Sequence, residues 1–218
     1  HLLAIARAGA GVNNIPIDRM TEKGVVVFNT PGANANAVKE LVICGMLVAS
    51  RNVIDGVLWA RSLRGSEDLS KLVEKGKSQF KGPELKGKTF GVIGLGAIGV
   101  LVANAAEALG MNVIGFDPYL SVNSALHLSG KVKIASVLED LLKQADYITV
   151  HVPLMEETKN YISAPEFEKM KDGVMLLNYA RDGIVNESAL KKALVEGKVA
   201  KYITDFPDEE LLNMDNVI

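Results

Sequence analysis

The chain contains few of the side chains that hold metals or form disulfides. Three histidines and one cysteine occur among 218 residues, which leaves little for a metal site. Cys44 lies in the apolar run at residues 41–49, and this context predicts a small buried core residue. A single thiol without a partner is typical of a reducing compartment such as the cytoplasm.

Excess charge and long apolar segments are missing as well. The formal net charge is -2, so no basic field points to nucleic acid or to an anionic membrane. The longest apolar run, residues 41–49, falls well short of the roughly 20 residues that a bilayer span needs, and no signal peptide precedes it. The chain begins within an apolar run and ends on residues typical of a starting strand, so we expect both ends to be cut from something longer.

What is present is ordinary globular composition, with 48% apolar and 23% charged residues. Apolar runs predict strands at residues 2–6, 25–28, 90–93, 112–116, 147–152, 174–178 and 199–204. Amphipathic segments predict helices at residues 16–23, from about 34 to 59, and at 97–109, 137–144, 166–170 and 187–195. Residues 64–87 are polar, and we interpret them as a helix end followed by a loop. Strands that alternate with helices imply an α/β fold, with a parallel sheet covered on both faces.

A glycine motif stands between one of these strands and the helix after it. The sequence GLGAIG occupies residues 94–99. Gly94 permits a tight turn, Gly96 lets the backbone approach a pyrophosphate, and Gly99 allows close packing of helix on strand. The N–H groups of the first helical turn, at Ala97 and Ile98, can then bind an anion.

Asp117 ends the next predicted strand, eighteen residues after Gly99. A carboxylate there can accept hydrogen bonds from both hydroxyls of an adenosine ribose, and it would repel a 2′-phosphate. The motif therefore predicts NAD as cofactor in preference to NADP. The alternative is a tight βα turn with no ligand, followed by a solvated Asp117 before Pro118.

Four further segments accompany this motif: RAGAGVNNI at residues 7–15, NTPGAN at 29–34, HVPL at 151–154 with Thr158 after it, and NYARDGIVNESAL at 178–190. With them the chain resembles the D-2-hydroxyacid dehydrogenase family over nearly all its length. The resemblance implies a Rossmann-type doubly wound parallel sheet that binds NAD, over residues 34–205. It also implies a partial substrate domain of flavodoxin-like type at residues 1–33, a return towards it at 206–218, and a homodimer.

The resemblance also implies two catalytic residues in this sequence. Arg181 matches the arginine that bridges a substrate carboxylate and the oxygen that gains charge. Glu209 matches the acid that pairs with a histidine, although the sequence TDF at 204–206 departs from the usual DVF and leaves Asp208 and Glu210 as alternatives. The family's histidine follows the strand that residues 216–218 begin, so we expect the chain to bind NAD without turning over substrate.

Other matched positions concern the cofactor and the substrate. On the cofactor side they are His151, Pro153, Thr158, Ala180 and Asp205, and on the substrate side Arg7, Ala10, Gly11 and Asn34. His151 has an equal alternative as a hydrogen-bonded histidine at a strand end, and Asn34 as a helix N-cap. We expect His127, in a variable-looking segment, to be exposed.

The Arg-Ala-Gly-x-Gly segment is most similar to the branch of the family that acts on 3-phosphoglycerate. This similarity implies oxidation of D-3-phosphoglycerate at C2 to 3-phosphohydroxypyruvate, with formation of NADH, a step of serine biosynthesis. Two alternatives stay open. One is the same chemistry on another small D-2-hydroxy or 2-keto acid, and the other is a non-enzymatic corepressor that senses NAD.

Overall fold

The computed structural model describes residues 1–12 and 14–218, and its strands form two separate parallel sheets. The small sheet pairs β1 (Ala4–Ala6) with β2 (Val26–Phe28). The large sheet contains β3 (Thr89–Ile93), β4 (Asn112–Phe116), β5 (Lys133–Ile134), β6 (Tyr147–Val150), β7 (Val174–Asn178) and β8 (Val199–Thr204). Its order is β5-β4-β3-β6-β7-β8, with every neighbouring pair parallel. The predicted doubly wound α/β class is confirmed.

Helices follow the strands and cover both faces of the large sheet. They are α1 (Ile17–Glu22), α2 (Ala35–Ser50), α3 (Val53–Ser62), α4 (Leu69–Gly76), α5 (Ala97–Ala108), α6 (Val122–His127), α7 (Leu138–Gln144), α8 (Ala164–Lys169), α9 (Glu187–Val195) and α10 (Glu209–Leu212). Helices α2 and α5 bury Met46 and Val102 on one face, while α7 and α8 bury Leu141 and Phe167 on the other. Because both faces are covered, all four residues of β6 are buried.

The predicted single helix from residue 34 to 59 is wrong, since α2 and α3 are separate. Asn52 between them adopts the left-handed conformation, with φ of 47°. Asparagine tolerates this conformation better than most residues, and a tertiary contact favours it, because Lys201 Nζ donates to Asn52 Oδ1 at 2.6 Å. The polar segment at 64–87 also contains more structure than predicted, namely α4 and a 3₁₀ helix at Lys77–Phe80.

Two predictions of burial are wrong as well. Cys44 is exposed, because the run at 41–49 is one amphipathic helix that turns Val42 and Met46 inward and Cys44 and Leu47 outward. The apolar run at 2–6 forms only the short β1, whose residues remain largely accessible. His127 is exposed as predicted, at the end of α6. Neither α6 nor β5 was predicted, since the first is one short polar turn and the second has two residues.

The last residues lie along the edge of the large sheet. Ile218 N donates to the carbonyl oxygen of Tyr202 at 2.9 Å, and Thr204 N donates to that of Ile218 at 3.0 Å. In this structure, residues 216–218 therefore continue the sheet beside β8. The predicted return of residues 206–218 towards a substrate domain stays a prediction. The division of the chain at residues 33 and 205 stays a prediction.

Within the described ranges, no single helix has the length and apolar composition needed to cross a bilayer, although α2 and α3 pass that test together with a bend of 58° between them.

The segment after the 3₁₀ helix crosses the end of α2 at very close range. A Cβ at Gly82 would overlap the carbonyl oxygen of Ser50. We expect Gly82→Ala to lower the free energy of unfolding by about 2–4 kcal/mol, because a backbone atom must move. Gly130→Ala is the control, since a Cβ there meets no atom within 4 Å, and its effect should stay within about 0.5 kcal/mol. Urea unfolding measures the free energy of unfolding of both variants. Equal losses of stability in the two variants would contradict the close approach of Gly82 to Ser50.

Candidate active site

The turn between β3 and α5 is held by two close backbone approaches. Gly94 has φ of 92°, and a Cβ there would lie 2.7 Å from the carbonyl oxygen of His151. A Cβ at Gly99 would overlap the carbonyl oxygen of Gly94. A side chain at Gly94 would collide with the end of β6, and one at Gly99 would push α5 away from the turn, so both glycines are required by the packing.

Gly96 faces open space at the N-terminus of α5. It is the N-cap residue of this 12-residue helix, it is exposed, and a Cβ there would meet no atom within 4 Å. The N–H groups of Ala97 and Ile98 follow in the first turn. A phosphate can therefore approach the backbone closely at the positive end of the helix dipole.

Asp117 lies directly after β4, beside the glycine turn. Its Oδ2 accepts a hydrogen bond from Leu95 N, and its Oδ1 accepts one from Tyr119 N, both at 2.8 Å. A carboxylate has about four acceptor positions, so both oxygens can still accept from ribose hydroxyls. The turn and the acid together fit the pyrophosphate and the adenosine ribose of NAD.

A cleft of about 740 Å³ continues from this turn and separates the small sheet's loops from the large sheet. It is lined by Arg7, Ala8, Gly9, Ala10, Gly11, Asn14, Asn34, Val38, Ile98, His151, Val152, Pro153, Tyr179, Ala180, Arg181 and Phe206. The structure thus brings together all four positions predicted on the substrate side, Arg181, and four on the cofactor side, at the carboxyl ends of β3, β6 and β7.

Arg181 is positioned by the buried side chain of Asn178. Asn178 Nδ2 donates to the carbonyl oxygen of Arg181 at 2.9 Å, and its Oδ1 accepts from Ala180 N at 3.1 Å. The Arg181 guanidinium donates to the carbonyl oxygen of Ala180 at 2.6 Å. A Cβ at Gly11 would lie 2.7 Å from an Arg181 guanidinium nitrogen, so this glycine makes room for the cation.

The loop after β1 brings a second guanidinium to the cleft. Arg7 is hydrogen-bonded to Asn14 Oδ1. Gly9 N donates to Thr30 Oγ1 at 2.7 Å, which ties this loop to the one after β2. Because the Gly9 amide is engaged, the backbone amides that remain candidates for a substrate carboxylate are those of Ala10 and Gly11.

Asn34 stands at the N-cap position of α2, but its side chain makes no capping hydrogen bond. The side chain lines the cleft instead. Asn34 thus occupies the N-cap position without the hydrogen bond that usually accompanies it, and its contact with a ligand stays a prediction.

His151 has an enclosed imidazole at the end of β6. Its Nε2 shares a hydrogen bond of 3.0 Å with Thr149 Oγ1, while its buried Nδ1 has no partner within the described residues. Burial lowers the pKa of His151 to about 4, so the ring is neutral at physiological pH. An unpartnered nitrogen beside a cleft suits a site that is completed by a bound ligand.

The structure leaves three predicted residues outside both the dinucleotide turn and the cleft lining. Thr158 Oγ1 donates to the carbonyl oxygen of Pro153 at 2.6 Å and so closes its own loop. Asp205 follows β8 and is exposed as a whole residue. Its carboxyl group is partly buried, and this burial raises the carboxyl pKa. Glu209 is exposed in the first turn of α10.

Lys191 on α9 forms ion pairs with two of the three neighbouring acids, Asp208 and Glu210, and none, among the residues described, with Glu209. Its Nζ lies 2.7 Å from Asp208 Oδ2 and 2.6 Å from Glu210 Oε2. The ammonium of Lys191 holds the pKa of the Asp208 carboxyl at about 2, and Asp208 Oδ1 also caps α10 by accepting from Leu211 N. Within the described chain, Glu209 is left without a side-chain hydrogen bond or ion pair.

The lining also contains residues that were not predicted as site residues, among them Val38, Tyr179 and Phe206. Tyr179 lies between two motif residues, and only its position inside the motif could have indicated it. Burial raises the pKa of Tyr179 to about 12, with a smaller contribution from Asp205. In the part of the chain that the structure describes, no group of three or more His, Cys, Asp or Glu could hold a metal ion.

A glycine turn that receives a phosphate, with an acid at the end of the adjacent strand, is how doubly wound sheets hold a dinucleotide. The fold and the site therefore define a Rossmann-type NAD-binding domain. The family model described as D-isomer specific 2-hydroxyacid dehydrogenase, NAD binding domain, matches residues 45–218. The chain belongs to this family of NAD-dependent oxidoreductases.

Individual relatives agree on the family but differ in substrate. The D-3-phosphoglycerate dehydrogenase of Methanocaldococcus jannaschii is 42% identical over 223 residues, which cover 100% of this chain and 40% of the relative. The hydroxypyruvate reductase of Thermotoga maritima is 37% identical over 227 residues, covering 100% of this chain and 69% of the relative. The D-lactate dehydrogenase of Aquifex aeolicus, solved with NAD and lactic acid, has a TM-score of 0.79 and 30% identity, covering 100% of this chain and 68% of that one.

The enclosed His151 makes stability depend on pH. Its folded pKa of about 4 lies below the value near 6.5 of an unfolded chain, so between these values the unfolded state binds the extra proton. Stability should be complete above pH 6.5 and fall towards pH 4, where the loss from His151 reaches about 3 kcal/mol. In His151→Gln, the decline between pH 7 and pH 4 should be shallower by about that amount.

Urea unfolding at several pH values measures this decline. His127→Gln, which removes the exposed histidine of α6, is the matched control and should decline as the parent chain does. A decline in His151→Gln as steep as in the parent chain would contradict the burial of a neutral ring.

Proposed function

We propose that this chain provides the NAD site and one side of the catalytic cleft of an enzyme that oxidises D-3-phosphoglycerate at C2 to 3-phosphohydroxypyruvate. The observation that carries the proposal is that Arg7 and Arg181 line one cleft beside the dinucleotide turn. A substrate with a carboxylate at one end and a phosphate at the other presents two anions to two guanidinium groups. The relative from Methanocaldococcus jannaschii is named for this substrate, and the chain spans 40% of that relative's length.

NAD, when bound, supplies the acceptor for the hydride that leaves C2. Arg181 is placed to hold the substrate carboxylate and to stabilise negative charge on the C2 oxygen. Its backbone is already fixed by Asn178, so little reorganisation is needed when the substrate arrives. Asn34 and the amides of Ala10 and Gly11 would orient the substrate from the opposite side of the cleft.

The proton of the C2 hydroxyl needs a separate acceptor. His151 is a poor base, because burial lowers its pKa to about 4 and Thr149 engages its Nε2. We therefore propose that residues 1–218 bind NAD without supplying the base, and that Glu209 pairs with a histidine elsewhere in the whole polypeptide. Support comes from Lys191, which engages Asp208 and Glu210 and leaves Glu209 accessible.

A second candidate is the same oxidation of a D-2-hydroxy acid that carries no phosphate. Arg7 is already hydrogen-bonded to Asn14, which reduces its freedom to reach a second anion. The likeness to a hydroxypyruvate reductase at 37% identity also favours this candidate. A cytoplasmic location, suggested by the single cysteine, stays a prediction.

The cofactor preference can be tested on the chain itself. We expect NAD to bind at least about tenfold more tightly than NADP, because a 2′-phosphate would face the Asp117 carboxylate. Asp117→Ala should weaken the binding of NAD and narrow the difference between the affinities for NAD and NADP. Asp182→Ala is the matched control, since this acid is exposed and lies outside the dinucleotide turn. Calorimetric titration measures the affinities of the three proteins for both cofactors, and equal binding of NAD and NADP to the parent chain would refute the assignment.

The substrate is tested by following NADH absorbance with the whole polypeptide that the gene encodes. We expect Arg7→Ala to lower kcat/KM for D-3-phosphoglycerate by roughly 10- to 100-fold and that for D-lactate by less than about threefold, because only the first substrate carries a phosphate. The 218-residue chain should bind NAD and form NADH at below about 1% of that rate. A higher kcat/KM for D-lactate than for D-3-phosphoglycerate would establish the second candidate.

We also propose a homodimer built on α3 and α4, which contain no buried residue. Their exposed apolar side chains include Ile54, Val57, Leu58 and Leu69, and contiguous apolar surface of this kind marks an interface. Leu58→Glu should shift sedimentation towards the monomer. Leu126→Glu, at an exposed position of α6 in the connection from β4 to β5, should not. A parent chain that sediments as a monomer at high concentration would refute the dimer.

A further inference from the structure

Tyr179 follows β7 and stands on the face of the large sheet that α2 covers. Successive side chains of a strand alternate between faces. Leu177 and Tyr179 therefore pack towards α2 and α5, whereas Asn178 turns to the other face, where it contacts Tyr202. The ring is half-buried, and it lines the cleft with Val38 and Ile98.

The ring is seated on a glycine in the middle of α2. A Cβ at Gly45 would overlap the phenol oxygen of Tyr179 and would lie 3.0 Å from Ile203 Cγ2. Glycine weakens a helix interior relative to alanine, so a buried glycine there calls for a reason. The absence of a Cβ lets the phenol rest on the helix instead of standing further into the cleft.

The order of the strands indicates which end of NAD reaches this ring. Asp117 follows β4 and marks the adenosine side, while Gly96 beside β3 marks the pyrophosphate. The dinucleotide then continues across the point where the strand order reverses, from β3 to β6 and β7. On this path the nicotinamide end would lie by the carboxyl end of β7, which Tyr179 follows.

We propose that Tyr179 forms the wall against which the nicotinamide ring packs, and that Gly45 sets the depth of that wall. The inference rests on the proposed binding of NAD in this cleft. A planar aromatic side chain flanked by Val38 and Ile98 suits a flat aromatic ligand, because stacked rings gain from both area and geometry. Tyr179 is thus a positioning residue for the cofactor, and Gly45 acts through it.

The test compares NAD with ADP-ribose, which lacks the nicotinamide, by calorimetry on the 218-residue chain. Tyr179→Ala should lower the affinity for NAD by about tenfold and that for ADP-ribose by less than about twofold, because only NAD loses a contact between its nicotinamide and the tyrosine ring. Tyr179→Phe keeps the ring and should bind both ligands like the parent chain. Equal weakening of both ligands by Tyr179→Ala would overturn the nicotinamide contact.

A second pair of variants tests the contact between the Tyr179 phenol and Gly45. Gly45→Ala should weaken NAD by about fivefold or more, because the phenol is displaced into the cleft. Adding Tyr179→Phe removes the overlapping oxygen and leaves the ring carbon Cζ 3.3 Å from the new Cβ, so NAD affinity should largely return. A double variant that binds NAD no better than Gly45→Ala overturns the role of Gly45.

Thermal unfolding of each variant confirms that it is folded before ligand is added. If the parent chain binds neither NAD nor ADP-ribose, the proposed function fails and this inference fails with it. If the parent chain binds both but the variants do not discriminate between them, only the wall at Tyr179 is refuted.

Discussion

The approach of Gly94 to the carbonyl of His151 is the constraint on which the rest of the site depends. It joins the turn after β3 to the end of β6, and these are the two strands at which the order of the sheet reverses. With that contact made, α5 starts beside the crevice and its N-terminus at Gly96 faces open space. Asp117 then fixes the turn from the other side through Leu95 N. The geometry of anion binding is therefore a result of backbone packing.

Two glycines also determine the shape of the cleft, because they carry no side chain. Gly11 leaves room for the Arg181 guanidinium, and Gly45 leaves room for the Tyr179 phenol. Each glycine lies on a different element from the side chain that it accommodates, one in the loop after β1 and one in α2. The Arg181 guanidinium and the Tyr179 phenol are thus accommodated from across the cleft, and a methyl group at either glycine would move them.

A cluster of charged side chains lies outside the cleft, on α9 and α10. Lys191 ties α10 to α9 through Asp208 and Glu210, and Asp208 caps α10 with its other oxygen. Exposed ion pairs contribute little each, but this cluster determines which of the three consecutive acids has no ion pair within the described residues. His151 represents the opposite case, because its ring is kept neutral by burial and its Nδ1 remains unsatisfied within the described chain.

The sequence by itself determined the α/β class, the strands from β3 to β8 other than the two-residue β5, and the dinucleotide turn. These depend on local patterns, namely continuous apolar runs and glycines at fixed spacing, that need no distant partner. Tertiary structure alone decided the break at Asn52, the exposure of Cys44, the separation of Glu209 from its neighbours and the seat of Tyr179 on Gly45. The break at Asn52, the ion pairs beside Glu209 and the seat of Tyr179 depend on residues far apart in the chain, such as Lys201 with Asn52, and no local pattern specifies such a contact. The exposure of Cys44 depends on which face of α2 packs against the sheet.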